Sequence, residues 1–159
     1  LSVATLMFSD SIHHHKTAGE SLQFLAETEL PDDLAWAKGT SNVVESYARF
    51  AKTVENAGSV LPFEVRSSVE AQIDNAITAH KKRHLTSVVG LEVTREFSDE
   101  ACKAAYRLAL LTALSSHRVD NKVVSMFRKH FPKDAQLIGA LAWASFTAAS
   151  KIGVQLSKS

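Results

Sequence analysis

The chain of 159 residues has a single cysteine, six glycines and three prolines. With Cys102 as its one thiol, it can form no disulfide, Cys-X-X-Cys redox pair or cysteine-based zinc site within itself. So few glycines and prolines argue against a loop-rich β architecture. Lysine and arginine number 18, aspartate and glutamate 17, which gives a net charge of +1 with neutral histidines. That balance excludes a strong basic field, and we expect no nucleic-acid partner.

The composition is that of a globular protein. An apolar fraction of 45% and a charged fraction of 22% exclude wholesale disorder. We predict a mobile segment over residues 1–16, in which His13, His14 and His15 form a polar run rather than a metal-binding tract. A single domain over residues 17–159 follows. No basic region precedes the apolar start, so we expect no signal peptide and predict a cytoplasmic location.

Apolar residues recur at spacings of three and four almost throughout, which is typical of helices. Residues 88–93 alternate as in a strand, but the segment is short and is predicted to be irregular. Ser98 is the expected N-cap of one helix, and Gly58 and Gly153 are expected to end two others. The pattern predicts one all-α domain of about seven helices, over residues 18–27, 31–39, 40–57, 62–84, 98–114, 119–131 and 133–152.

The last predicted helix carries no charged residue from Ala135 to Ser150. Those 16 residues fall short of the about 20 that cross a membrane, so no membrane span is expected. A helix that is apolar on every side must be covered by neighbouring helices or by another subunit. Because Trp143 and Phe146 are large, we favour the second possibility and expect a homo-oligomer that assembles through apolar helices.

The fourth predicted helix is the segment where titratable residues share an apolar row. Residues four apart stack along one side of a helix. A buried imidazole beside a carboxylate can transfer a proton near neutral pH. On the residues alone, a partly exposed helix end is favoured over catalysis. The row comprises Gln72, Ala76, His80 and His84, its neighbour comprises Glu70 and Asp74, and the candidate catalytic residues are His80, Glu70, Asp74 and His84.

Metal and thiol chemistry are less favoured. His80 and His84 are spaced to share a metal ion, but Ile77 and Lys81 occupy the positions where a third ligand would stand. We therefore predict no metal and no cofactor. Cys102 lies in the first turn of its helix, where a thiol pKa falls. Ala101 and Ala104 lie around it and no histidine is near in sequence, so a core position is favoured over a reactive nucleophile.

Three stretches carry a resemblance to a known family, and together they span about 120 residues. They are Leu34-Ala35-Trp36-Ala37 through Ser46-Tyr47 to Gly58, then Leu61-Pro62-Phe63-Glu64-Val65-Arg66, then Phe97-Ser98-Asp99-Glu100 through His117-Arg118-Val119 and Phe131 to Gly153. The second is similar to the "LPxxxRE" start of the catalytic helix in AhpD-like, or carboxymuconolactone decarboxylase, proteins. The chain thus resembles that family, which implies an AhpD-like helical fold and a peroxidase-related, antioxidant function.

The resemblance also shows where this chain departs from the family's chemistry. That chemistry centres on a glutamate, a Cys-X-X-Cys pair and a histidine four residues after the second cysteine. His80 is similar in placement to the histidine, whereas Ile73 and Ala76 stand where the cysteines would be, and Ser67 stands at the glutamate. A peroxidase cycle without its thiolate lacks a nucleophile. The resemblance therefore implies a divergent member without thiol peroxidase activity.

Other functions stay open. Glu64 and Glu70 are the candidates to replace the family glutamate. One alternative is a thiol-independent, decarboxylase-like acid–base enzyme that acts on a small carboxylate or lactone through His80. Such an enzyme would bind a small-molecule ligand. The other alternative is a non-catalytic helical module for binding or assembly.

Overall fold

The computed structural model of the protein describes residues 20–25, 27–29, 41–81 and 97–156. Within these ranges the chain forms helices and turns and no strand, so the all-α prediction is confirmed. Short 3-10 turns occupy Glu20–Phe24, Gly58–Val60 and Ser116–Arg118. The five α-helices are α1 (Ser41–Ala57), α2 (Phe63–Lys81), α3 (Glu100–Leu114), α4 (Asn121–Arg128) and α5 (Asp134–Leu156).

Each of these five helices matches one predicted from periodicity. The prediction over residues 18–27 is wrong in type, because the described part of that segment is one 3-10 turn, Glu20–Phe24. The predicted helix over 31–39, the segment 1–16 and the irregular stretch 88–93 lie outside the described residues. Helix α1 ends at Ala57, directly before the glycine expected to stop it.

Two predicted helix ends need correction. The N-cap of α3 is Asp99 rather than Ser98, because the Asp99 carboxylate accepts the backbone N–H of Cys102 at 2.9 Å. Helix α5 continues through Gly153 to Leu156. A glycine weakens a helix by about 1 kcal/mol relative to alanine, which does not by itself end one.

The chain divides into two compact units, residues 1–53 and 54–159. In the described part of the first unit, Val44 and Ala48 on α1 are buried. The guanidinium of Arg49 donates to the Glu45 carboxylate one turn earlier, at 2.8 Å. These contacts are local to α1, as the four-residue spacing requires.

Helix α3 is the centre of the second unit, since it packs against α2, α4 and α5 and buries more side chains than any of them. Helix α2 contributes a buried row of apolar residues four apart, formed by Val65, Val69 and Ile73. Helix α4 contributes Val123 and Phe127. The buried side chains of α3 itself are Cys102, Ala104, Ala105, Tyr106, Leu108, Ala109, Leu110 and Leu111.

Helix α5 is buried on one side and exposed on the other. Trp143 on its inner side is 1% exposed, and Phe146 packs against the same core. The indole therefore needs no second subunit to cover it, so Trp143 does not support the expected homo-oligomer, which stays a prediction. Helix α5 is long and apolar enough to cross a membrane, by length and composition only. One such helix is weak evidence for a membrane span, and a third of its most apolar stretch is buried inside the protein. The other buried residues on that side are Gly139, Ala140, Ala144 and Ala148.

Two glycines let α5 approach the corner between α1 and α2. A Cβ atom on Gly58 would lie 2.2 Å from Cδ1 of Trp143. One on Gly139 would lie 2.6 Å from the carbonyl oxygen of Ala57. Both distances are shorter than real contacts allow, so the absence of a side chain at these two positions permits the close packing.

Candidate functional site

A lysine of α5 contacts the row on α2 that contains Glu70 and Asp74. Glu70 is half-buried and Asp74, one turn later, is exposed. The Lys151 ammonium donates to the Asp74 carboxylate at 2.8 Å. Two of the candidate catalytic residues are thus one turn apart, and one of them is paired with a cation. Lys151 was not predicted as a site residue, although it is the first charged residue after the uncharged run of α5.

The two histidines of the candidate site are less fully described. Helix α2 ends at Lys81, so His80 lies in its last turn. The His80 side chain and all of His84 lie outside the described residues. Their part in the candidate site therefore stays a prediction. Among the described residues, no three histidine, cysteine, aspartate or glutamate side chains come together as a metal site.

Cys102 lies at the buried start of α3, near the start of α2. Its thiol is 3.9 Å from a carboxylate oxygen of Glu64, toward which it donates. Its backbone N–H donates to the Asp99 carboxylate. Two acidic side chains therefore flank the one thiol of the chain, and one of them is Glu64, which the sequence had proposed as a replacement for the family glutamate.

This surrounding makes the thiol a poor nucleophile. Burial is the largest cause that raises the pKa of Cys102, and the Asp99 and Glu64 carboxylates raise it further, to about 11. The ordinary value is 9.0. A helix N-terminus favours a thiolate, but here burial and two carboxylates outweigh it. The core position favoured for Cys102 agrees with this environment.

The stretch Leu61–Arg66 forms a structural corner. Leu61 and Val65 are buried, and the Arg66 guanidinium donates to the Glu55 carboxylate at 2.8 Å. The second oxygen of Glu55 accepts the indole N–H of Trp143 at 3.1 Å. The arginine of this family-like motif thus joins the start of α2 to the end of α1, and through Glu55 to α5.

Comparison with known proteins gives one similar protein. The chain is similar to alkyl hydroperoxide reductase Rv2159c of Mycobacterium tuberculosis, with 34% identity over 148 residues. This similarity supports an AhpD-like family assignment for the chain. The match covers 93% of this chain and 42% of the relative, so the chain spans less than half of that protein's length. No protein-family model and no solved structure matches it.

The two positions that the resemblance matches to the family cysteines lie in different surroundings. Ile73 is fully buried and belongs to the main core, whereas Ala76 is half-buried. Both lie on α2, three residues apart, and neither carries a group that can react with peroxide. Among the described residues, the predicted site on α2 therefore contains apolar and carboxylate side chains, and the thiol of Cys102 lies on another helix.

Proposed function

We propose that this chain is a divergent AhpD-like protein without thiol peroxidase activity of its own. The observation that carries the proposal is the environment of Cys102, where burial and two carboxylates raise the thiol pKa to about 11. A peroxidase thiol must be ionised near neutral pH, because the thiolate is the nucleophile. A single thiol also cannot close the disulfide that completes the family's cycle.

Peroxide consumption tests this proposal directly. The full chain and the Cys102→Ser variant would be mixed with an alkyl hydroperoxide and a dithiol reductant at pH 7. We expect neither protein to consume peroxide faster than a blank. Consumption that depends on Cys102 would overturn the proposal. Consumption that survives Cys102→Ser would show a peroxidase activity that does not use the thiol and would require another group to pass electrons from the reductant to the peroxide.

A second candidate function is favoured by the Asp74–Lys151 pair. A small carboxylate or lactone could replace Asp74 as the partner of the Lys151 ammonium. His80 would then act as general acid or base together with Glu70 or Asp74. This proposal predicts that His80→Ala abolishes turnover of such a substrate. His117→Ala is the matched control, because His117 is exposed on another segment. Equal activity of the two variants toward a panel of small lactones and 2-oxo acids would exclude it.

A non-catalytic role in binding or assembly is the remaining candidate, and a cytoplasmic location is part of all three. Exposed apolar residues on α5, such as Ile138 and Leu156, support assembly as a possible role. Cell fractionation of the native source tests the location, because a membrane-bound or exported pool would contradict it.

A further inference from the structure

Positive charge is concentrated around α4. Residues 116–133 hold five of the 18 lysine and arginine residues of the chain, but only one of its 17 acidic residues, Asp120. Five positive charges and one negative charge leave this segment at +4, whereas the whole chain has a net charge of +1. Such a local excess attracts acidic groups even though the chain is nearly neutral. All five cationic residues are exposed, and they are Arg118, Lys122, Arg128, Lys129 and Lys133.

The exposed side of α4 presents two of these cations together. Val123 and Phe127 turn the other side of the helix into the core. Successive residues of a helix are about 100° apart, so Lys122 and Lys129 lie within about 20° of each other and about 10 Å apart along the axis. The backbone of Lys129 still has helical angles, so the same geometry applies to it. We name this side the basic surface, and it comprises Lys122, Ser125, Arg128 and Lys129.

The two lysines of the basic surface are not neutralised within the described part of the chain. Arg128 is paired with Asp134, but none of the ion pairs among the described residues involves Lys122 or Lys129. Lys122 is the second residue of α4, where a cation opposes the positive end of the helix dipole. The stability of α4 therefore does not account for Lys122, which favours a role in binding.

The surroundings of the basic surface indicate which acidic partner fits it. A membrane-binding helix has exposed apolar side chains beside its cations, and a surface for single-stranded nucleic acid has exposed aromatic rings. None of the large, exposed hydrophobic residues lies within 116–134, a stretch that the structure describes in full. Asp120 caps the start of α4 and Asp134 contacts Arg128 at its end, so a continuous phosphate chain would meet a carboxylate on either side. A short segment of protein carboxylates avoids both.

We propose that the basic surface binds an acidic segment of a partner protein, whose carboxylates pair with Lys122 and Lys129. Two carboxylates about 10 Å apart, such as acidic residues seven apart on one side of a helix, would meet both lysines. Ser125 lies between the lysines along α4, and its hydroxyl can donate to a carboxylate. The pairs form between exposed groups, so we expect weak binding that falls as the salt concentration rises. The proposal does not depend on the chemistry proposed above, because no candidate catalytic residue lies on α4.

Fluorescence anisotropy tests the kind of partner. A labelled peptide of about eight glutamates, which can span both lysines when extended, would be titrated with the full chain at low salt. A thymidine oligonucleotide of equal length and vesicles of phosphatidylserine are the comparison ligands. We expect the peptide to bind more tightly than either, and to be released as salt is added. Tighter binding of the oligonucleotide or the vesicles would overturn the proposal, and so would a peptide that does not bind at low salt.

A charge-matched pair of double variants tests the location. An exposed ion pair changes a binding constant by about twofold to fivefold, so Lys122→Gln with Lys129→Gln should weaken peptide binding at least about fourfold. Lys52→Gln with Arg107→Gln removes the same charge from exposed positions on α1 and α3, and should leave binding within about twofold. Equal losses would show a response to net charge alone and overturn the proposal.

NMR of the native protein locates the peptide even where a variant disturbs the fold. We expect the amide shifts that change on adding the peptide to be largest in α4, because the paired lysines lie there. Largest changes on any other helix would overturn the proposal.

Discussion

The indole N–H of Trp143 donates to one carboxylate oxygen of Glu55, whose other oxygen accepts from Arg66. The three side chains come from α5, α1 and α2. Glu55 is 55% exposed and Arg66 is 24% exposed, so solvent screens their ion pair. The indole is buried, so its N–H depends on Glu55 as its hydrogen-bond acceptor.

The first prediction concerns this carboxylate. Glu55→Ala should lower the free energy of unfolding by about 1–3 kcal/mol, because it leaves the Trp143 N–H buried without an acceptor. Glu55→Gln keeps an acceptor oxygen and loses only the screened ion pair, which predicts a loss of about 1 kcal/mol or less. Urea unfolding of both variants measures the difference. Equal losses would show that the ion pair, rather than the indole contact, stabilises this corner.

The second prediction concerns two glycines. Gly58→Ala should destabilise the protein by about 1–3 kcal/mol, because the added methyl group would overlap the buried ring of Trp143. Gly153→Ala is the control, since an added Cβ meets nothing there. Within a helix that change should stabilise by about 0.5–1 kcal/mol. Thermal unfolding at low micromolar protein would show opposite shifts in Tm. A neutral Gly58→Ala would mean that Trp143 can move.

The helices were predictable because their signal is local. Apolar residues at three- and four-residue spacings place α1, α2, α3, α4 and α5 without any long-range information. Which helix lies at the centre was not predictable in that way. Helix α5 has the most apolar sequence, yet α3 is central. The alanines and leucines of α3 are buried against three neighbouring helices, whereas α5 buries only one of its sides.

The candidate site was predictable in part, and for the same reason. Glu70 and Asp74 are neighbours on one helix, which their spacing already indicates. Lys151 reaches Asp74 across 77 residues of sequence, and Glu64 reaches Cys102 across 38. Such contacts depend on packing. The local rule for a thiol at a helix start therefore gave the wrong direction for its pKa, since burial and the more distant carboxylate oppose it.

The third prediction concerns thiol reactivity. With a pKa of about 11, roughly one Cys102 in a thousand is ionised at pH 8, against about one in ten at the ordinary 9.0. The folded protein should therefore react with a disulfide reagent about 100-fold more slowly than the urea-unfolded protein. Glu64→Gln should speed the folded reaction, because it removes one of the carboxylates that raise the pKa. Equal rates before and after unfolding would contradict this environment.

The fourth prediction concerns acid stability. The Cys102 backbone N–H, which donates to the Asp99 carboxylate, is the largest cause that holds the pKa of Asp99 below its ordinary 3.8. A lowered pKa contributes stability above the unfolded value, and that contribution is lost as the pH falls through 3.8 and below. Asp99→Asn keeps a good N-cap without a titrating group. Its unfolding free energy should therefore fall less steeply than that of the native protein between about pH 5 and pH 2.

Asp99→Ala should be less stable than either at pH 7, since it removes the cap itself. Urea unfolding at a series of pH values compares the three proteins, and identical acid slopes for the native protein and Asp99→Asn would show that this carboxylate does not govern the stability of α3.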